Sequence, residues 1–232
     1  MTTHWSVVLS AREQASPASD QALEKLCRTY WYPLYAHVRR LGHNPPDAED
    51  LTQEFFARLL QKNYLRAADR AKGRFRTFLL VALEHFLAND WDRQQAQKRG
   101  GGQVIVPLDT SLAEHLYAAE AGTELTPMRA YERRWALTLV EQALGRLRAE
   151  YEQAGKARDF ERLKVFLTAE RGSIAYGSVA AEFGVSEGAL RVSVHRLRRR
   201  FREMFREEIA HTLADPGDVA EEMRHLVAIL AE

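Results

Sequence analysis

Seven arginines fall between Arg191 and Arg206 against one acid, Glu203. Within that run Arg191, His195, Arg198 and Arg202 recur at three- and four-residue spacing, which lines them along one face of a helix. Guanidinium groups neutralise phosphates and can bond a guanine edge at two points, so this stripe carries chemistry suited to a DNA major groove. An Arg-rich helix face can also be nothing more than solvated charge. The residues in front of it argue otherwise. Ala180 is small where two helices must approach, and Gly184 stands where a turn needs a positive φ. Val185 is an apolar plug for that turn, and Ser186 can cap the next helix through its hydroxyl. Leu190, Val194, Leu197 and Phe201 then form a buried stripe. The span Tyr176 to Phe205 therefore predicts a helix-turn-helix with a basic second helix. Arg198, Arg199 and Arg200 read as phosphate contacts or solvated charge, and His195 alone would more often be structural.

A second constellation is acidic. Asp47, Glu49, Asp50 and Glu54 lie in eight residues that hold no base. Acids in the first turns of a helix are stabilised by the positive end of its dipole, which accounts for Asp47 and in part for Glu49. It leaves Gln53 and Glu54, beside exposed apolar surface, to be explained by a basic protein partner. A third group combines Arg74, Arg76 and Arg93 with Phe78, His85, Asn89 and Trp91. Basic groups hold phosphate, while aromatic and amide groups can stack on or pair with unstacked bases. In that segment Phe75, Leu79 and Phe86 read as core, and Trp91 reads equally as core or exposed.

These groups must be positioned almost wholly by helices, because 3.6-residue periodicity dominates; only Val104 to Val106 hints at extended chain. Asp20 can cap a first helix carrying Leu26, Cys27 and Tyr30, and Pro33 then restarts the chain. Asn44-Pro45-Pro46 forms a turn before a helix from about Asp47 to Gln61. A long helix from about Phe75 to Gln97 ends at Gly100-Gly101-Gly102. A short helix is possible from Ser111 to Ala121. Thr126-Pro127 starts the next helix, which stops at Gly155, and another spans about Asp159 to Glu170. Pro216-Gly217 precedes a short amphipathic helix bearing Val219, Met223, Leu226, Val227 and Leu230. The expectation is an all-α fold of two small helical domains joined by a flexible linker. The first domain spans 1–99, the linker 100–126, the helix-turn-helix domain 127–211, and an amphipathic tail 212–232.

Composition is that of an ordinary soluble protein, with 46% hydrophobic and 28% charged residues in 232 and a net charge of +1. The single cysteine, Cys27, excludes an intramolecular disulfide and fits a core thiol in a reducing compartment. No signal peptide and no membrane-spanning run is read, so a cytoplasmic location is expected. No enzyme is expected. Gly100-Gly101-Gly102 follows a helix rather than a strand, the histidines lack metal-ligand spacing, and no nucleophile motif occurs. Neither a cofactor nor a metal is expected.

These motifs together resemble a family. DAEDLTQEFF at Asp47 to Phe56 is similar to the second conserved region of bacterial sigma factors, and Phe75 to Arg99 to the adjoining promoter-melting segment. Tyr176 to Phe205 is similar to their carboxy-terminal promoter-reading region. The order matches the small extracytoplasmic-function class of the sigma-70 family, and QEFFARLL, KGRFRTFLL, QKRGGG and HRLRRRFRE resemble its planctomycete and acidobacterial subgroup. The resemblance implies a promoter-specificity subunit. Its core-polymerase face would be Asp47, Glu49, Asp50, Gln53 and Glu54, set on the clamp helices of the largest subunit and centred on Asp50 and Gln53. Its minus-ten contacts would be Arg74, Arg76, His85, Asn89, Trp91, Arg93, Lys98 and Arg99. Family members usually carry Asn where this chain has His85. Its minus-thirty-five contacts would be Ser186, Glu187, Gly188, Arg191, Val192, His195, Arg196 and Arg199, with Arg191 the best placed for a base edge. Implied partners are core RNA polymerase, including the flap of its second-largest subunit, promoter DNA, and an anti-sigma factor or other regulator. The tail from Thr212 would pack on the last domain or bind a regulator. Two other classes remain open: a stand-alone DNA-binding regulator, and a sigma-like interaction protein without promoter activity.

Overall fold

Helix α1 spans Pro17–Arg40 and runs straight through Pro33 in the computed structural model, which describes residues 17–60, 74–94, 110–120, 125–169, 174–213 and 215–231. This corrects two expectations, since Asp20 lies inside α1 rather than capping it and Pro33 does not restart the chain. The physical reason is burial on both sides of the proline. A mid-helix proline costs about 3 kcal/mol. Leu26, Tyr30, Leu34 and Val38 are all buried on the same helix, and each such side chain is worth about 1.5–3 kcal/mol.

Helix α2 (Pro45–Leu60) starts two residues earlier than expected, because proline is suited to the first helical turn, whose N–H groups are unpaired anyway. Asn44 caps it: its Oδ1 accepts the Asp47 N–H at 2.9 Å, and its Nδ2 donates to Asp47 Oδ2 at 2.7 Å. Helix α3 (Phe75–Gln94) and helix α4 (Thr110–Glu120) follow. Helix α5 (Pro127–Gln153) begins where Thr126 was expected to cap it, with Thr126 Oγ1 accepting the Arg129 N–H at 3.3 Å. After α5 the chain turns at Gly155, whose φ is +71°.

The chain divides into two compact units, Met1–Thr138 with Ile209–Glu232, and Leu139–Glu208. In the first, α1 supplies a buried row that meets α3 through Tyr30 and Phe75, edge to face at 5.4 Å. Phe55 of α2 meets Phe86 of α3 at 5.8 Å, and Tyr30 stacks on Trp135 of α5 at 6.3 Å. Helix α4 lies inside the segment read as linker. Its Glu114 accepts from Tyr35 at 2.5 Å and from Arg39 Nε at 2.7 Å, and the Arg39 bond holds the Glu114 carboxyl below its usual range.

The second unit holds the rest of α5, then α6 (Ala157–Leu163), α7 (Val165–Thr168), α8 (Tyr176–Phe183) and, as far as Glu208, α9 (Glu187–Thr212). One helix was expected from Asp159 to Glu170. It breaks at Lys164, where the Leu167 N–H bonds back three residues to the Lys164 carbonyl at 2.9 Å. Phe160, Leu163 and Phe166 still face the core across the break.

After a 3₁₀ turn at Pro216–Asp218, helix α10 (Val219–Leu230) belongs to the first unit. Its buried face is Val219, Glu222, Leu226 and Ile229, while Val227, expected inside, is 54% exposed. The tail therefore packs within the first unit, against Arg76 and against Glu132 of α5. Among the described residues every regular element is helical and no strand occurs, so the fold is all-α. Val104 to Val106 lies outside the described residues.

Candidate functional site

The turn between α8 and α9 is built as its residue types require. Gly184 adopts φ +65°, and its N–H bonds to the Ala181 carbonyl at 3.1 Å. The Val185 N–H reaches back to the Ala180 carbonyl at 3.1 Å, completing a Schellman closure. Ser186 caps α9, its Oγ accepting the Ala189 N–H at 3.2 Å. Ala180 is buried as expected, but Val185 is 44% exposed and does not plug the turn. The backbone closure alone suffices to hold it. Leu190, Val194 and Leu197 are buried, and Phe201 is only half-buried, stacked on Phe205 at 6.1 Å.

The outward face of α9 carries Glu187, Gly188, Arg191, Val192, His195, Arg196, Arg199 and Arg202, all exposed. Arg191 is held in place there. Its Nε and Nη2 donate to Glu187 Oε1 at 3.0 and 2.6 Å, and its guanidinium lies 4.5 Å over the Tyr176 ring. Tyr176 was not among the expected site residues; it comes from the preceding helix, and no local sequence signal pairs it with Arg191. Val192 is 50% exposed, an apolar side chain set among cations.

The arginine triplet separates by partner. Arg198 donates through Nε and Nη2 to the Phe166 carbonyl at 3.1 and 2.7 Å, which corrects its reading as phosphate contact or solvated charge. Arg200 is tied to Glu150 at 2.8 Å and to Glu203 at 3.3 Å. Among the described residues Arg199 meets only an exposed carboxylate, Glu203, at 3.6 Å. At the inner side of α9, Arg146 bonds Glu207 at 2.6 Å and the buried Glu208 at 2.8 Å, fastening α5 to α9 within this unit.

In the first unit the acidic face of α2 is graded. Asp47 is engaged by Asn44, and Glu54 pairs with Arg58, which in turn lies over the Phe86 ring at 4.8 Å. Glu49 and Gln53 are half-buried and joined at 3.1 Å. Asp50 is exposed and has no ionic partner among the described residues.

Helix α3 presents Val81, His85 and Asn89 outward at four-residue spacing. Asn89 donates to the His85 carbonyl at 2.8 Å. Val81, 42% exposed, was not expected as a surface residue. Arg74 is half-buried, and its carbonyl accepts the Thr77 and Phe78 N–H groups at 3.1 Å each, making it the cap of α3. Arg76, expected as a minus-ten contact, is enclosed. Its side chain is 2% exposed, pairs with Glu222 of α10, lies 3.7 Å from Glu132 and stacks over Trp135 at 4.6 Å. A guanidinium so enclosed cannot reach a phosphate in this conformation. The side chains of Trp91 and Arg93, and Lys98 and Arg99 entirely, lie outside the described residues.

Elsewhere, burial first and Glu24 second push the Cys27 thiol up to about 12, which removes it as a nucleophile at neutral pH. Among the described residues no group of His, Cys, Asp and Glu could hold a metal ion, and no helix is long and apolar enough to cross a membrane.

No curated protein and no solved structure matches the chain. Residues 26–97 match the family model for sigma-70 region 2. That match starts in α1, takes in all of α2 and α3, and includes the acidic face and the Arg74-Arg76 segment described above. The likeness is to sigma-70 region 2 over that segment, which is less than half of the chain.

Proposed function

We infer that the chain is an alternative sigma factor of the extracytoplasmic-function class. It binds core RNA polymerase and directs initiation at a chosen set of promoters. The observation that carries this reading is the sigma-70 region 2 match at residues 26–97, joined in one chain to a second unit whose helix α9 displays exposed cations behind a capped turn.

On this reading α2 docks on polymerase through Asp50 and Gln53. Asp50 supplies a carboxylate with no ionic partner to release among the described residues, so the docking partner gains its full charge. The outward stripe of α3, from Val81 through His85 to Asn89, faces bases of the opened minus-ten element, which amide, imidazole and apolar groups can stack on or bond once they are unstacked. Helix α9 meets the minus-thirty-five element as duplex. Arg191 is preset by Glu187 and Tyr176 for a guanine edge, Val192 suits a thymine methyl group, and Arg196 and Arg199 take phosphate. Neither DNA contact need be tight, because both act on one tethered polymerase and each raises the effective concentration of the other. Sigma factors are not enzymes, and this reading calls for no cofactor.

The test is core binding by the full chain and by the Asp50→Ala/Gln53→Ala variant. Retention of wild-type protein on core polymerase, with loss of at least tenfold in affinity for the variant, supports the docking face. If the wild-type protein shifts duplex DNA alone and ignores core polymerase, a stand-alone regulator takes the place of this reading.

A further inference from the structure

Glu222 is the most enclosed acid among the described residues: its side chain is 0% exposed. It sits between Arg76, to which it is bonded, and Arg74, whose Nε lies 2.8 Å from Glu222 Oε2. The partners are 146 residues apart in sequence. Arg76 belongs to the segment that resembles the promoter-melting region, and Arg74 immediately precedes it. A buried ion pair is a weak device for stability, since apolar residues of similar size do as well or better. Its chemistry is therefore informative. Arginine takes a carboxylate and a phosphate with the same fork of N–H donors, so a carboxylate at this place occupies what a phosphate would occupy.

The element that brings Glu222 there is seated on one side only. Helix α10 has 12 residues, with Val219, Leu226 and Ile229 as its other buried side chains. Ala220, Glu221, Arg224, Val227 and Ala228 face outward. A short helix held by a few apolar groups and one ion cluster opens at far lower cost than the core beneath it. Around the pair stand Glu132, 3.7 Å from Arg76 and 3.6 Å from His225 Nε2, so release of α10 would leave Arg76 with a second, half-buried acid and open to solvent.

We propose that helix α10 is an intramolecular competitor for DNA: Glu222 occupies Arg74 and Arg76 in the free protein, and its displacement hands both guanidinium groups to the phosphates of the melted strand. The proposal rests on the sigma reading above and adds a regulation to it. It also accounts for the enclosed state of Arg76. The free chain keeps its melting segment neutralised, and single-stranded DNA held on polymerase at high effective concentration displaces the helix.

The experiment uses the full chain and its Glu222→Gln variant. Binding of a mixed-sequence 20-nucleotide single-stranded DNA is measured against salt, alongside hydrogen exchange of residues 219–230. Competition predicts tighter binding by E222Q at an unchanged salt dependence, because the same two arginines meet phosphate in both complexes. It also predicts that the wild-type helix loses exchange protection when the oligonucleotide binds. Leu226→Ala, which loosens the same helix without touching the charges, must also bind more tightly at an unchanged salt dependence, and it serves if E222Q does not fold. Unchanged affinity in a variant whose residues 219–230 are already released overturns the proposal, as does continued protection of the wild-type helix in the DNA-bound state. Transcription with core polymerase separates the two levels. Wild-type transcription with unchanged oligonucleotide binding by both variants sinks the competition alone. Failure to bind core polymerase sinks the sigma reading, while the oligonucleotide data still report whether α10 covers the arginines.

Discussion

Replacing Arg198 and Arg199 separately by methionine should give opposite phenotypes, although the two are neighbours of the same type. Methionine keeps a long apolar stem and removes the charge. Arg198 spends its guanidinium on one acceptor, the Phe166 carbonyl, with bonds of 3.1 and 2.7 Å. A hydrogen bond from a charged donor is worth about 1.5–3 kcal/mol, so Arg198→Met should lower stability by about that amount. That carbonyl lies in α7, beyond the break at Lys164, and no other donor to it is on hand among the described bonds. Among the described residues Arg199 meets only an exposed carboxylate at 3.6 Å, and surface changes of that kind stay within about 0.5 kcal/mol. If Arg199 takes a phosphate, its loss should reduce the salt dependence of duplex binding by about 0.9 in the logarithmic slope. The assay is urea unfolding of the full chain together with titration of a mixed-sequence duplex at several salt concentrations. Loss of stability with an unchanged slope is expected for Arg198→Met, and the reverse for Arg199→Met. A stable Arg198→Met protein with a reduced slope would refute the assignment of Arg198 to the fold.

Gly184→Ala should cost about 1–2 kcal/mol, from backbone strain at φ +65° alone, because an added Cβ meets nothing within 4 Å. Urea unfolding measures it, and a neutral substitution would show that the turn can close without the left-handed residue. His37 gives a pH dependence. Burial, its largest cause, holds the His37 pKa below 6.5, so at lower pH the unfolded chain binds a proton that the folded chain refuses. Its contribution to stability is full above about pH 7 and is lost as pH falls through 6.5, by up to about 1.4 kcal/mol per pH unit while the folded imidazole stays neutral. Unfolding at pH 7.5 and 5.5 should therefore show a smaller difference for His37→Gln than for the wild-type protein; equal differences would exclude His37 as the source.

The parts of this fold that were legible are those whose causes are local. Thr126 and Ser186 cap helices with their own hydroxyls, Gly184 takes the one conformation that suits glycine, and Leu190, Val194 and Leu197 announce a buried face by spacing alone. The parts that were not legible depend on partners far along the chain. Pro33 reads as a break, and only the burial of residues on both sides overrides it. Arg198, Arg199 and Arg200 are indistinguishable in sequence, and they are sorted by Phe166 and Glu150, which lie 32 and 50 residues away. Glu222 reads as the polar side of an amphipathic helix, because periodicity counts a charge as outward. Its burial is set by Arg76 and Arg74, and that same contact removes Arg76 from the surface on which its type would place it.

Run-off transcription of genomic fragments by the full chain with core RNA polymerase tests the central claim most directly. The account predicts transcripts that depend on the added protein, share a common upstream spacing, and weaken sharply with Asp50→Ala/Gln53→Ala while the fold is unchanged. Absence of any protein-dependent transcript from a chain that binds duplex DNA tightly on its own would contradict it.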